Sequence, residues 1–393
     1  MNPSNKHTWC INAFHSLSAS TIGETRPCCM YRPTTKTNLQ LGKDKISDHF
    51  NNKEIINLRK DLTNGIRHIG CTRCWQEEDA GRESKRIRDN KNYTGIEQGL
   101  LYLDMALGNQ CNIKCRTCGP HSSSQWLKEA YETKYNKFVT LEVYNQEVKK
   151  YSTSYEDDSN LWSDLENYLD NIKILEFYGG EPLLNKKMWK ILELCVEKDI
   201  AKKIELRYAT NGTLWPDQVE LWKHFKHVDL SFSIDGLENK FEYLRHMAKW
   251  KDFTRNFITA TNFSSNVKIH WCVTISNLNI YYLGDIIKEY YEKYAKKGVG
   301  LYLNLLHAPL HFNVGIMPEN IKKEISSILN QIPKEYSHAW RQLPGIIEFM
   351  NNGCTTLSEW DNFFTEIKTT DQYRNQDYSQ VFPEFAKLIG LIK

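Results

Sequence analysis

"NQCNIKCRTCGP", residues 109–120, places Cys111, Cys115 and Cys118 within eight residues. A closed zinc site takes four ligands, and disulfides use cysteines in pairs. Three thiols on one loop are by themselves a chance cluster, half of a zinc site, or ligands of a different centre. Thiolates also hold iron–sulfur clusters, and a four-iron cluster normally takes four of them. A triplet leaves one iron open to an outside ligand. The loop follows "LLYLDMAL" (100–107), which has the apolar run of a buried strand.

From that strand onward the chain alternates. Further strands are expected at "IKILEFY" (172–178), "KIELRYAT" (203–210), "HVDLSFSI" (227–234), "VKIHWCVTIS" (267–276) and "VGLYLNLL" (299–306). Between them lie helical patterns at "SSSQWLKEAYETKY" (122–135), "NKKMWKILELCVEKDI" (185–200), around "PDQVELWKHF" (216–225), from Glu238 to about Asn262, and at "IYYLGDIIKEYYEKYAKK" (280–297). Six strands separated by helices call for parallel β/α units. Unusual residues collect at the strand ends, as at the C-terminal face of a β/α barrel. Residues 1–98 show one clear helix, "SDHFNNKEIINLRKDLTNG", stopped at Gly65, and residues 311–393 look mostly helical. The stretch 151–160, "YSTSYEDDSN", is expected to be a mobile loop.

The bulk properties narrow the chemistry. The 393 residues are 40% hydrophobic, 25% charged and 12% aromatic, the composition of a globular protein. A formal charge of +3 does not point to a nucleic-acid partner, and no run has the length of a membrane span. The opening "MNPSNKHTWC" has no apolar export segment, so a cytoplasmic location is expected. Eleven cysteines in a reducing compartment point to metal or redox chemistry. Cys195, Cys272 and Cys354 stand alone and are expected to be small buried hydrophobes.

The C-x3-C-x2-C triplet, "FYGGEPLL" after the second strand, "ATNGT" after the third and "SFSIDG" after the fourth together resemble the radical SAM superfamily. The resemblance implies a partial (β/α)6 TIM-like barrel over residues 99–310. It implies a [4Fe–4S] cluster on Cys111, Cys115 and Cys118, with S-adenosylmethionine chelating the open iron. Reductive cleavage would then give a 5′-deoxyadenosyl radical that abstracts a substrate hydrogen. Gly179 and Gly180 would let the backbone approach the methionine amino group, and Glu181 would accept a charge-assisted hydrogen bond from it. Asn211 would meet the cofactor near its ribose, and Ser233 and Asp235 would point into the barrel mouth. Taken singly, GGEP is also an ordinary strand-to-helix turn, and the Asn–Gly and Asp–Gly pairs are common turns. Thr117 stands where many members have an aromatic residue.

Ahead of the barrel, Cys10, Gly23 and Cys28 in a C-x12-G-x4-C arrangement, then Cys71 and Cys74, resemble the twitch module, a short form of the SPASM domain. In most relatives that module follows the barrel. The resemblance implies a second, fully ligated [4Fe–4S] cluster over residues 1–98, suited to electron transfer, with Cys29 as a spare. A structural zinc on the same four ligands remains the alternative. Glu77, Gly81, Ser84 and Arg86 fall at near-helical spacing and either line a substrate pocket or form a solvated helix face.

The expected function is an oxidative modification of a peptide or small molecule, fed by an electron donor such as flavodoxin or ferredoxin. The competing class is a metal-binding interaction protein or a nucleic-acid-modifying protein on the same fold. Neither a membrane nor a nucleic acid is expected as partner.

Overall fold

The computed structural model describes residues 7–35, 39–79, 81, 83–92, 99–152 and 159–393. Most of the expected mobile loop, 153–158, lies outside them, as does the boundary expected at residue 98. The strands are β1 (Ser16–Ala19), β2 (Thr25–Arg26), β3 (Tyr102–Ala106), β4 (Lys114–Cys115), β5 (Ile174–Tyr178), β6 (Glu205–Thr210), β7 (His227–Ser233), β8 (Arg245–His246), β9 (Val267–Ile275) and β10 (Gly300–Leu305). The chain divides into two compact units. The first comprises Met1–Cys111, Gln146–Tyr208 and Asp217–Val228, and the second Asn112–Asn145, Ala209–Pro216 and Asp229–Lys393.

In the first unit the strand order is β2-β1-β3-β5-β6. β1 pairs in parallel with β3, β3 with β5 and β5 with β6, while β2 closes the edge antiparallel to β1. Leu17, Leu103, Leu175 and Leu206 share one register row and are wholly buried. Apolar residues on adjacent parallel strands, followed by helices, give the α/β layering that the alternation predicts. The Lys186–Glu197 helix buries Met188, Trp189, Ile191, Leu192 and Cys195, an i, i+3, i+4 stripe. The Asn185 side chain caps it by accepting from the Lys187 and Met188 amides. The helix expected to end at Gly65 is two, Ile46–Phe50 and Lys53–Thr63, because Asn52 caps the second through the Ile55 amide at 3.0 Å.

The second unit has β7, β9 and β10 in that order, with β9 and β10 parallel. Its centre is aromatic. Phe232, Phe253, Phe257 and Trp271 meet in succession at centroid distances of 5.8, 6.0 and 5.8 Å. The expected helix from Glu238 to Asn262 is interrupted. It runs as Glu238–Leu244 and Trp250–Thr261, with β8 between them paired antiparallel to β4. In the first unit, the expected helix at 216–225 is a tighter 3₁₀ segment, Asp217–His224. The tail is helical as expected, in Glu319–Asn330, Ser337–Asn352, Leu357–Arg374, Tyr378–Val381 and Pro383–Leu388. Among the described residues, no helix is long and apolar enough to cross a membrane.

Of the three isolated cysteines, Cys195 is buried and Cys272 half-buried, whereas Cys354 is exposed. Cys354 sits just past the end of the Ser337–Asn352 helix, where no helix face covers it.

Candidate functional site

The cysteine loop opens where β3 ends. In the first unit the Gly179–Gly180–Glu181 turn docks on that opening. The Glu181 amide donates to the Gln110 carbonyl at 2.8 Å, and the Leu107 amide to the Tyr178 carbonyl at 2.7 Å. Gly180 has φ +51°, and a Cβ there would stand 2.2 Å from the Gln110 oxygen. Only glycine permits both the left-handed backbone and this approach. Two motifs seventy residues apart in the chain thus meet immediately before Cys111. Glu181 is buried, and its carboxylate accepts from the Leu183 amide at 3.2 Å, capping the Pro182–Leu184 turn.

In the second unit the loop is tied down residue by residue. Cys115 lies in β4 opposite Arg245 of β8. Its carbonyl accepts from the Trp126 indole at 2.9 Å, and the Cys118 amide donates to the same carbonyl at 3.1 Å. A hydrogen bond with Cys118 brings the Cys115 thiol down to about 7 against its burial, and the Arg245 cation acts the same way. Thiolate character at this position is what a metal ligand needs.

Asp235 is placed to serve Arg245. One carboxylate oxygen accepts from the Arg245 guanidinium at 2.8 Å, the other from the Thr274 amide at 3.1 Å. Ser233 ends β7, half-buried. The Asn211 side-chain oxygen accepts from the Thr213 amide and hydroxyl at 2.9 and 2.6 Å, and its amide group donates to Asn112 Oδ1 at 2.8 Å. Asn112 donates in turn to the Thr213 hydroxyl at 2.8 Å. Asn211 therefore braces the residue next to Cys111.

The flanking residues of Cys115 anchor to the C-terminal helices. Arg116 forms an ion pair with Asp371 and lies 3.6 Å over the Tyr243 ring, and Tyr243 donates to Asp371 at 2.7 Å. Lys114 pairs with buried Glu129 at 2.6 Å, and Glu129 also accepts from Arg374 at 2.9 and 3.1 Å. Arg374 stacks 4.6 Å over the Trp126 ring, the same ring that holds the Cys115 carbonyl. Burial, with the Arg374 and Lys114 cations beside it, pushes the His246 imidazole down to about 4. The sequence gives no local sign of Arg245, Arg374 or Asp371 as supports for the cysteine loop, because their partners lie far away in the chain.

The other four cysteines come together in the first unit. Cys10, Cys28, Cys71 and Cys74 line one cavity of about 20 Å³, with Lys85 and Arg86 on its wall. Cys10, Tyr31 and Trp75 belong to one buried cluster, with Cys28 and Cys71 packed against it. Gly70 seats Cys71. A Cβ there would stand 2.3 Å from the Tyr31 ring, and the Arg32 amide donates to the Gly70 carbonyl at 2.9 Å. Arg86 is pinned between Glu78, at 2.9 and 2.5 Å, and the Trp75 ring at 4.7 Å. Ser84 also donates to Glu78, at 2.5 Å. Ser84 and Arg86 are buried, Arg86 on the cavity wall, whereas Gly81 is exposed.

Burial pushes the thiols of Cys10, Cys28 and Cys71 up, and that of Cys74 up to about 11. Four neighbouring thiols, two buried and two half-buried, coexist as thiolates only around a metal cation that offsets their charge. The donor set is all sulfur, which suits either an iron–sulfur cluster or zinc. Among the described residues, no three His, Cys, Asp or Glu side chains converge as a single ion requires. Cys29 faces elsewhere, among Asp104, Lys85 and Glu176.

Residues 105–288 match the radical SAM superfamily. An uncharacterized protein of Methanocaldococcus jannaschii is 26% identical over 239 residues, covering 60% of this chain and 72% of that protein. The radical SAM cyclopropyl synthase TigE of Paramaledivibacter caminithermalis is 22% identical over 241 residues, covering 58% of this chain and 46% of that protein. Among solved structures, native anSMEcpe with bound AdoMet gives a TM-score of 0.41 at 18% identity, covering 64% of this chain and 61% of that one. Streptococcus suis SuiB bound to S-adenosylmethionine gives 0.32 at 15%, covering 73% and 60%. The chain thus spans less than half of TigE and about three-fifths of these two structures. Over residues 105–288 the chain is thus similar to the radical SAM superfamily, a family that implies a [4Fe–4S] cluster and S-adenosylmethionine.

Proposed function

We propose that this protein is a radical SAM enzyme that oxidatively modifies a peptide or small molecule. When bound, the cluster and S-adenosylmethionine supply a 5′-deoxyadenosyl radical for hydrogen abstraction. Cys111, Cys115 and Cys118 are the cluster ligands, and Gly179, Gly180, Glu181, Asn211, Ser233 and Asp235 form the cofactor site. The observation that carries this reading is the Gly179–Gly180–Glu181 turn seated on Gln110, beside Cys111. The Arg245 cation and the Cys115–Cys118 hydrogen bond keep a ligand thiol easily ionised.

Residues 99–310 then form the partial (β/α)6 barrel, residues 1–98 a twitch-type segment, and residues 311–393 a helical extension. Cys10, Cys28, Cys71 and Cys74 would hold the auxiliary [4Fe–4S] cluster, which would supply an electron acceptor. The protein acts in the cytoplasm with flavodoxin or ferredoxin as donor. A structural zinc on the same four thiols is the alternative reading of this segment.

Anaerobic reconstitution tests both levels. Reductive cleavage of S-adenosylmethionine should yield 5′-deoxyadenosine, and the Cys111, Cys115 and Cys118 triple alanine variant should yield none. Product from that variant would defeat the cluster assignment. Two clusters bring about eight irons per chain, against about four if the N-terminal site is zinc. The Cys71→Ala, Cys74→Ala double variant should fall from eight to about four. Four irons and one zinc in the unsubstituted protein would make that segment structural.

A further inference from the structure

Cys10 reaches the four-thiol cavity by a different route from Cys71 and Cys74. Cys71 immediately precedes the Thr72–Asp79 helix and Cys74 lies in its first turn, so local structure places both. Cys10 comes from far earlier in the chain and has extended backbone, φ −141° and ψ 115°, just before the short Ile11–His15 helix. Its carbonyl accepts from the Ala13 amide at 3.1 Å, which ties it forward into that helix. The N-terminal side of Cys10 has to be held from elsewhere.

The Lys85–Asn92 helix holds it. Arg86, Asp89 and Asn90 stand at i, i+3 and i+4 and share one face of that helix. The Arg86 guanidinium and the Asn90 side-chain amide both donate to the Trp9 carbonyl, at 2.7 and 2.8 Å. The Asn90 side-chain oxygen accepts from the Ile11 amide at 2.8 Å, and Asp89 accepts from the Asn12 side chain at 2.8 Å. The Trp9 carbonyl belongs to the peptide group before Cys10, and the Ile11 amide to the one after it. Peptide groups are planar, so a residue has only two soft backbone angles. Holding the peptide group on each side fixes both angles at Cys10, and with them the direction of its Cβ. Only the first side-chain torsion is left to aim the sulfur.

The same face reaches the helix that carries Cys74. The other two guanidinium nitrogens of Arg86 donate to Glu78, one turn beyond Cys74, and the guanidinium lies over the ring of Trp75, the next residue in the chain. One planar fork therefore joins the Cys10 segment to the Cys74 helix, which the single point charge of a lysine does not reproduce. Arg86 and Asp89 are both buried, so water does not compete for these bonds.

We infer that Arg86 and Asn90 are positioning residues that set Cys10 in place as the ligand closing the N-terminal four-thiol centre. The inference rests on the reading above that Cys10, Cys28, Cys71 and Cys74 hold a metal centre, and it is the same for an iron–sulfur cluster and for zinc.

Iodoacetamide labelling of the anaerobically reconstituted holoprotein, followed by peptide mapping, reads each cysteine separately. A thiolate bound to metal is not free to act as a nucleophile. Arg86→Met and Asn90→Leu should each label Cys10 at least tenfold faster than the unsubstituted protein does, while Cys71 and Cys74 stay protected. That split separates positioning of one ligand from a general loosening of the segment. Arg86→Lys, which keeps the charge and loses the fork, should release Cys10 as Arg86→Met does. Lys91→Ala, at an exposed position of the same helix, should leave Cys10 protected. Melting temperatures show whether each variant is folded. Cys10 labelling within threefold of the unsubstituted protein in both folded variants overturns the inference, as does release of all four cysteines together. If the unsubstituted protein holds about eight irons, or about four with one zinc, and the variants label Cys10 no faster, only this inference falls. If it holds about four irons and no zinc, the N-terminal centre does not form, and the reading beneath the inference falls with it.

Discussion

Glu129→Gln removes one charge from the support of the cysteine loop. Glu129 is 1% exposed and faces two cations, Arg374 at 0% and Lys114 at 14% side-chain exposure. The substitution keeps the shape and leaves both cations without their anion. Breaking a buried pair by neutralising one partner costs about 3–5 kcal/mol. In a unit of 150–250 residues, each kcal/mol lowers the melting temperature by about 2–4 °C, so roughly 6–20 °C should be lost. Arg374→Met should restore at least half of that loss when combined with Glu129→Gln. It removes the more deeply buried cation, and Lys114 can turn toward solvent. The assay is thermal unfolding of anaerobic protein followed by circular dichroism, arranged as a double-mutant cycle. A loss below about 2 °C for Glu129→Gln, or strict additivity in the double variant, would show that the three groups do not act as a unit.

Three shorter predictions address other parts of the molecule. Gly180→Ala should abolish S-adenosylmethionine binding, measured by equilibrium dialysis, because the added methyl group cannot coexist with the Gln110 carbonyl at 2.2 Å; binding within threefold of the unsubstituted protein would contradict the docked turn. The Glu54 carboxyl is held below its usual range. Burial opposes this, but donation from the Thr34 amide, the Thr35 and Tyr31 hydroxyls and the Thr34 hydroxyl outweighs it. A depressed carboxyl stabilises the fold above its unfolded value and loses that contribution as pH falls through the folded value. Glu54→Gln should therefore be less stable than the unsubstituted protein at pH 7, with the gap closing below about pH 4; a gap that widens on acidification would contradict it. Cys354, being exposed, should be alkylated by iodoacetamide under anaerobic conditions without loss of iron, and peptide mapping that finds Cys195 modified first would refute the burial assignments.

The parallel strands were legible because their apolar runs are long and are bounded by turns. The row Leu17, Leu103, Leu175 and Leu206 shows what such runs do once paired, although β1 itself, at four residues, is too short to stand out. The cysteine triplet and the GGE turn were legible as spacing. What spacing does not carry is the electrostatic support. Asp235 looks like a turn residue, and only the tertiary structure shows it holding Arg245 opposite Cys115. β8 was hidden inside a helical pattern, because two residues recruited by a distant strand leave no periodicity of their own.

Arg116 and Asp371 are separated by 255 positions in the chain. A ribosome adding roughly 5–20 residues per second needs about 13–50 s to make that span. During that interval Cys115 has emerged, but the acid that will clamp its neighbour does not yet exist. Until Asp371 is made, Arg116 beside the thiols lacks its ion-pair partner, so the cysteine loop is clamped only once the C-terminal helices have been synthesised.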